Sequence, residues 1–432
     1  KEIAKSLLED GSQVDLVIRL LEETRWEALA VGLLVATELL MAKSEMSRVY
    51  VDGPRVPTME DNPLISATKK TVESTNSDGR IEIDRSNAIV LVKMLMPLCR
   101  KELEHNEPRI RTMVAKAVGA CVRCTISVDD DDLHHERRAT YASIIKSLKE
   151  HLESGPEITE NQSKSSSGAL DDTTGWRALE TNWQGISSYI EACGELFLKE
   201  DSNDHVLSLP EALEHSCVVH VNRHVRAAGV AVLDQWISCV FNSDQRSRLT
   251  DVNCKWRNTI VKVLKATLAD NWSQVRMAGS VLCRNFLVAL KKIDPSSLTP
   301  LYPMLLPRMC LNRFYLAQGV KIYSHETWRL LFEDTGEGLE SIAKNAAPVC
   351  RYYVKMCDAD NHAVREGACQ AVAELATRVG RNELYADRLS PFVPMLLQAL
   401  LMCFHDESWP VRDEACLACG IFCLAYPEEC RP

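Results

Sequence analysis

Apolar residues recur at three- and four-residue spacings through most of the chain, as expected of amphipathic helices that each bury one face. Between Ser273 and Lys291 the positions Val275, Ala278, Gly279, Leu282, Phe286, Leu287 and Leu290 fall on one helical face. The predicted helices come in pairs, and a β-branched residue followed by a basic one recurs just inside the second helix of a pair. The instances are Ile110-Arg111, Val225-Arg226, Val275-Arg276, Val320-Lys321, Val364-Arg365 and Val411-Arg412. From Val225 onward they are spaced 50, 45, 44 and 47 residues apart. Small residues follow, as in Ala227-Ala228-Gly229, Met277-Ala278-Gly279, Glu366-Gly367-Ala368 and Asp413-Glu414-Ala415, where they let two helices approach closely. A period of this length is the signature of a repeat array.

The first helices carry a second regularity. The stretch from Leu298 to Leu306 (LTPLYPMLL) matches that from Leu389 to Leu397 (LSPFVPMLL) at an offset of 91 residues, two repeats. Thr299 and Ser390 are predicted N-caps, with Pro300 and Pro391 at the first helical position, where no N–H is needed. Phosphorylation of these Thr-Pro and Ser-Pro pairs is the other reading, and capping accounts for both copies.

A helix with an early proline, then Asp-x-x-x-x-Val-Arg or a relative of it, then a helix rich in small residues: this order resembles the HEAT repeat. Its clearest copies run from Asp358 to Arg365 and from Asp406 to Arg412, with Asp270 to Arg276 close behind. The resemblance is strongest from about residue 205 to the end; upstream, Pro108-Arg109-Ile110-Arg111 keeps part of the motif, and Trp26 and Trp176 open helices without it. It implies an all-α fold, a right-handed superhelical α-solenoid of about eight HEAT-like helix pairs. The pairs are expected near 12–44, 86–127, 136–200, 205–243, 251–291, 299–335, 338–380 and 389–427. It also implies that the repeated Asp and Arg link adjacent repeats as a ladder, a role that fits Arg226, Arg276, Arg365 and Arg412.

Two stretches interrupt the pattern. The expected organisation is N-terminal helices over 1–44, a disordered loop over 45–85, repeats over 86–152, a second loop over 153–175, and a continuous array over 176–432. The loops are rich in Gly, Pro, Ser, Thr, Asn and Asp, and neither could bury enough apolar surface to fold alone. Such loops are either sites where partners or kinases act or tolerated insertions without a role. The chain opens at Lys1 and stops at Pro432 without terminal punctuation, as a fragment of a longer protein would.

Composition narrows the function classes. The chain has 432 residues and a formal net charge of -10, which argues against a nucleic-acid binder needing a strongly basic surface and is compatible with a basic partner segment. No apolar run reaches the roughly 18 residues of a membrane span. Seventeen cysteines, an odd number spread along the chain at apolar helical positions, read as buried free thiols in a reducing compartment, cytoplasmic or nuclear.

The candidate chemistry is sparse. Cys416, Cys419 and Cys423, with Cys430 beyond and Cys403 and His405 upstream, invite a zinc reading, but i, i+3, i+7 spacing on one helix is expected of a core stripe rather than of a zinc knuckle. Cys121 and Cys124 are likewise expected to be structural thiols. Asp129 to Asp132 before His134 and His135 read as a capped helix start. His215, His220 and His224 fall at a helix end and turn. No phosphate loop, nucleophile elbow or zinc-helix motif is present; no catalytic, cofactor or metal residue and no small-molecule substrate is expected, and the chain is not expected to be an enzyme.

The expected function is a protein–protein interaction scaffold or adaptor. It would hold one or more proteins on its concave face or its turn ridge, with neither nucleic acid nor membrane as partner. Trp26 and Trp176 are expected to act as hydrophobic staples. Trp272, with Asn271 and Arg276, is the leading exposed anchor, followed by Arg365, Trp409 and Arg412, because tryptophan and arginine dominate interface hot spots. Three narrower readings follow from resemblance: a tubulin-binding TOG-like array, from whose basic ridge this acidic chain departs; a fragment of a nuclear transport receptor; and a regulatory subunit of an enzyme assembly.

Overall fold

A computed structural model describes residues 13–45, 85–128, 130–153, 175–200, 207–332 and 335–430. All regular structure among them is helical. The chain divides into two compact units, Lys1–Arg246 and Ser247–Pro432. The loops expected at 45–85 and 153–175 lie almost entirely outside the described residues.

In the first unit α1 (Gln13–Glu22) pairs with α2 (Trp26–Glu45), α3 (Arg85–Glu102) with α4 (Pro108–Ser127), and α5 (Asp131–Glu153) with α6 (Trp176–Cys193). After the short α7 (Glu195–Glu200), α8 (Leu209–Glu214) runs through a wider turn, His215–Val219, into a pair with α9 (Arg223–Phe241). In the second unit α10 (Lys255–Thr267) pairs with α11 (Ser273–Ile293), and α12 (Tyr302–Asn312) with α13 (Gln318–Leu331). Then α14 (Thr335–Lys344) and α15 (Ala346–Met356) precede α16 (His362–Leu375), and α17 (Ala386–Leu389) leads to the last pair, α18 (Val393–Cys403) and α19 (Trp409–Ala425). These are HEAT-type hairpins, stacked so that second helices pack on second helices, as α4 does on α2 and α6.

The recurrent dipeptide has a single structural place. Ile110, Val225, Val275, Val320, Val364 and Val411 are each the third residue of a second helix, and all six are buried. A β-branched residue there plugs the gap beneath the turn, and the basic residue follows on the fourth position. Close helix approach also falls where small residues predict it. A Cβ placed on Gly279 would lie 2.5 Å from Thr267 Oγ1 and 3.1 Å from its backbone carbon, so α10 and α11 touch there without room for a methyl group.

Two expectations are corrected. Thr299 and Ser390 are not N-caps: each lies within a tight 3₁₀ turn (Pro295–Leu301 and Ser390–Phe392), and the α-helices start later, at Tyr302 and Val393. Two prolines three residues apart remove two N–H donors, so the tighter turn precedes the α-ladder, and Pro303 and Pro394 take the second helical position. The cysteines of α19 do not form a core stripe either. Its buried face is Val411, Ala415, Ala418 and Phe422, whereas Cys416 and Cys423 are exposed and Cys419 is half-buried. The two stripes are interleaved on one helix, and only the face turned toward α16 and α18 is covered among the described residues. Cys121 and Cys124 are buried within α4.

Candidate protein-docking ridge

In five of the helix pairs the turn between the helices is built by the same few atoms. The arginine at the fourth helical position folds back and donates to the two carbonyls six and five residues before it. Arg111 Nη1 reaches His105 O at 2.8 Å and Asn106 O at 3.1 Å. Arg226 Nη1 reaches His220 O and Val221 O, Arg365 Nη1 reaches Ala359 O and Asp360 O, and Arg412 Nη1 reaches Asp406 O and Glu407 O. Arg276 uses Nε on Asp270 O at 2.9 Å. These carbonyls follow the end of a helix and have no intrahelical partner, so the guanidinium satisfies acceptors that the helix leaves open.

In the turns of Arg111, Arg226, Arg276 and Arg412 the residue at the first of those carbonyls closes the turn from its other side; in the turn of Arg365 that residue is Ala359. Asp270 Oδ1 accepts the Trp272 N–H and Asp406 Oδ1 the Ser408 N–H, both at 2.8 Å. His105 Nδ1 accepts from Glu107 N at 2.9 Å, and His220 Nδ1 from Asn222 N at 3.1 Å. The sequence motif thus has an aspartate variant and a histidine variant. The histidines look unrelated to Asp270 and Asp406 in sequence, yet a neutral imidazole offers the same acceptor.

A ladder between pairs is present in the second unit, built with mixed chemistry. Arg365 is bidentate on Asp406 of the next turn, Nε–Oδ2 2.6 Å and Nη2–Oδ1 2.8 Å, with both side chains nearly buried. This pairing holds the Asp406 carboxyl below the usual carboxylate range and raises Arg365. Arg276 donates through Nη1 to Asn312 Oδ1 at 2.7 Å and lies over the Tyr315 ring at 4.2 Å. Asn312 in turn donates to Leu268 O at 3.1 Å. Burial pulls the Arg276 guanidinium below its ordinary value, and Tyr315, Tyr352 and Asp270 oppose the shift. The first and third turns of this unit also meet: Asn361 Nδ2 donates to Asn271 O at 3.4 Å.

The candidate contact residues separate into two groups. Arg276 and Arg365 are buried in the turns and present no accessible guanidinium. Asn271, Trp272, Trp409 and Arg412 are exposed, Trp272 by 42 % and Trp409 by 68 % of their surface. Exposed acids flank them, namely Asp358, Asp360, Glu407 and Asp413. In the first unit the turn tryptophans instead pack onto the start of a neighbouring second helix. Arg109 stands 5.6 Å over Trp26, and Trp176 stacks on His224 at 5.4 Å. The acidic start of α5 is a cap, with Asp130 Oδ1 accepting Leu133 N at 3.0 Å and Asp132 paired to Lys93; Asp129 lies outside the described residues.

No helix among the described residues is long and apolar enough to cross a membrane. No protein-family model and no curated protein matches the chain. Among solved structures the chain is similar to importin beta, at 12 % identity and a TM-score of 0.46, over 98 % of this chain and 43 % of that one. It is also similar to Kap95p from a complex with RanGDP, at 13 % identity and a TM-score of 0.41, over 94 % and 50 % of the two chains. For Kap121p the values are 14 %, 0.36, 99 % and 39 %. The chain therefore spans half or less of the length of each of these proteins.

Proposed function

We propose that this chain is a protein-binding scaffold whose docking surface is the turn ridge of residues 247–432. The observation that carries the reading is the pair of exposed indoles, Trp272 and Trp409, on turns whose backbones are held by Asp270 with Arg276 and by Asp406 with Arg412. A large aromatic side chain on a rigid turn loses little conformational freedom when it binds, and such residues dominate interface energetics. The acids beside them, Asp358, Asp360, Glu407 and Asp413, favour a partner segment carrying lysine or arginine around an apolar pocket. The buried arginines serve this surface from beneath, by fixing its shape.

The test is affinity capture from cytosol with quantitative mass spectrometry, comparing the unaltered chain with Trp272→Ala and Trp409→Ala. Trp409 is largely solvent-facing, so the melting temperature of Trp409→Ala stays within about 1–2 °C; the Trp272 indole is more than half covered, and circular dichroism and thermal unfolding confirm that Trp272→Ala is folded before capture is compared. A basic partner that falls about thirty-fold or more in one or both variants, the scale of a 2 kcal/mol hot spot, supports the ridge. A stoichiometric partner captured equally by all three chains refutes the ridge and moves the contact to the helical faces.

A further inference from the structure

Seventeen cysteines stand in the chain, and most of the buried ones are small apolar side chains in helix interfaces. One group differs. Cys357 follows the C-terminal end of α15, Cys369 lies in the middle of α16, and Cys403 ends α18. Their three sulfurs lie within 4.8 Å of one another, and all three residues are buried. Neither member of the Cys121–Cys124 pair joins such a group. Here three separate segments aim their thiols at one point. We propose that Cys357, Cys369 and Cys403 form a three-coordinate thiolate site for a soft monovalent cation, copper(I).

The donor set selects the ion. Three sulfurs around a metal at about 2.3 Å are about 4 Å apart in a planar trigonal arrangement, so small rotations about the side-chain bonds bring the present cluster to binding geometry. Structural zinc needs a fourth donor, usually sulfur or imidazole. Among the described residues the convergent group numbers three, with no histidine or carboxylate added. Of the acids beside the cluster in sequence, Asp358 is exposed and outside the convergent group, and Asp406 has both oxygens on Arg365. Calcium and magnesium require oxygen ligands, whereas thiolates in a dry pocket are the preferred surroundings of copper(I).

Cys403 Sγ also donates to the Cys357 carbonyl at 3.5 Å, which ties two of the three segments together at the cluster. A copper(I) ion entering there displaces the thiol protons to solvent. Cys357 lies at the turn, directly before the exposed Asp358. An ion bound there would tie the last two helix pairs together directly beneath Arg365 and Asp406.

The experiment is an anaerobic titration of the full chain against the copper(I)–bicinchoninate complex. The starting protein has Cys416, Cys419, Cys423 and Cys430 replaced by serine, which removes the accessible thiols of α19 and its flank. The expected result is one equivalent of copper taken from the chelator, with three sulfur neighbours in the copper X-ray absorption spectrum. Adding Cys369→Val, which keeps an apolar side chain of similar volume, is expected to abolish that equivalent while the far-ultraviolet circular dichroism remains helical. Failure of the starting protein to withdraw copper overturns the proposal, as does full retention by a folded Cys369→Val chain. Should that variant unfold, the sulfur count in the starting protein decides: three supports the site and two refutes it. Zinc held with four ligands at the same cysteines would also refute it.

Discussion

Asp406 shows how much one side chain of this array does. It accepts a buried guanidinium through both oxygens, caps the Ser408 N–H, and supplies its own carbonyl to Arg412. Replacing it by alanine leaves Arg365 with only its longer carboxylate contact, to Glu407 at 3.5 Å. The expected loss is about 3 kcal/mol, the usual penalty for breaking a buried ion pair from one side, read from denaturant unfolding. Asp406→Asn keeps the turn acceptor and is expected to lose less. Because the folded carboxyl titrates below its unfolded value, the contribution is complete above about pH 4 and disappears as pH falls through the lower folded value. The acid limb of the stability profile should therefore flatten in Asp406→Ala. Gly279 makes a steric argument at the same scale. Alanine there gains about 1 kcal/mol of helix propensity but meets Thr267, whose hydroxyl is tied to Val263 O. Overpacking of this kind costs about 1–3 kcal/mol, so Gly279→Ala is expected to lower the melting temperature; an unchanged or higher value would show that α10 and α11 can separate freely.

At the scale of the element, the turn motif is more regular in space than in sequence. The position that carries Asp270 and Asp406 carries His105 and His220 in the first unit, and each accepts an N–H two residues ahead. Burial lowers His220 from its ordinary value, which keeps the imidazole neutral as an acceptor. A histidine whose folded pKa is depressed supplies stability above its unfolded value of about 6.5, and that stability is lost as pH falls. Thermal unfolding of the unaltered chain is therefore expected to weaken between pH 7.5 and 5.5, and His220→Asp to reduce that slope by supplying an acceptor that needs no neutral ring. An unchanged slope in the variant would place the pH dependence elsewhere. Helix α11 marks the limit of periodicity. One apolar face was legible, yet the helix is buried on further sides as well, through Ser280, Arg284 and Asn285. Arg284 donates to Thr327 Oγ1 and Tyr323 O, and its guanidinium covers the Tyr323 ring. A polar residue that meets a polar partner some forty positions away leaves no signal in a local pattern.

At the scale of the molecule, the exposed ridge of the second unit brings together rigid turns, outward tryptophans and acids. If its partner is basic, as proposed, affinity should fall as salt rises from 50 to 500 mM, because screening acts on exposed charge and leaves the indole contacts intact. A salt-independent affinity would assign binding to the tryptophans alone. The copper proposal belongs to a different layer of the same unit, beneath the turns, so loss of one function by mutation need not carry the other with it.

The sequence by itself determined that the chain is helical, that its helices are paired, and where each second helix begins. These follow from local spacing, from small residues at close approaches and from a β-branched plug followed by a basic residue. Tertiary structure decided what could not be local. It chose which arginines are buried braces and which tryptophans remain in solvent, since both depend on the neighbouring turn. It turned the cysteines of α19 outward, because a helix with two interleaved apolar stripes shows which is inner only when its neighbours are in place. It also gathered Cys357, Cys369 and Cys403, each an ordinary core position in its own helix, around one point that three separate segments define.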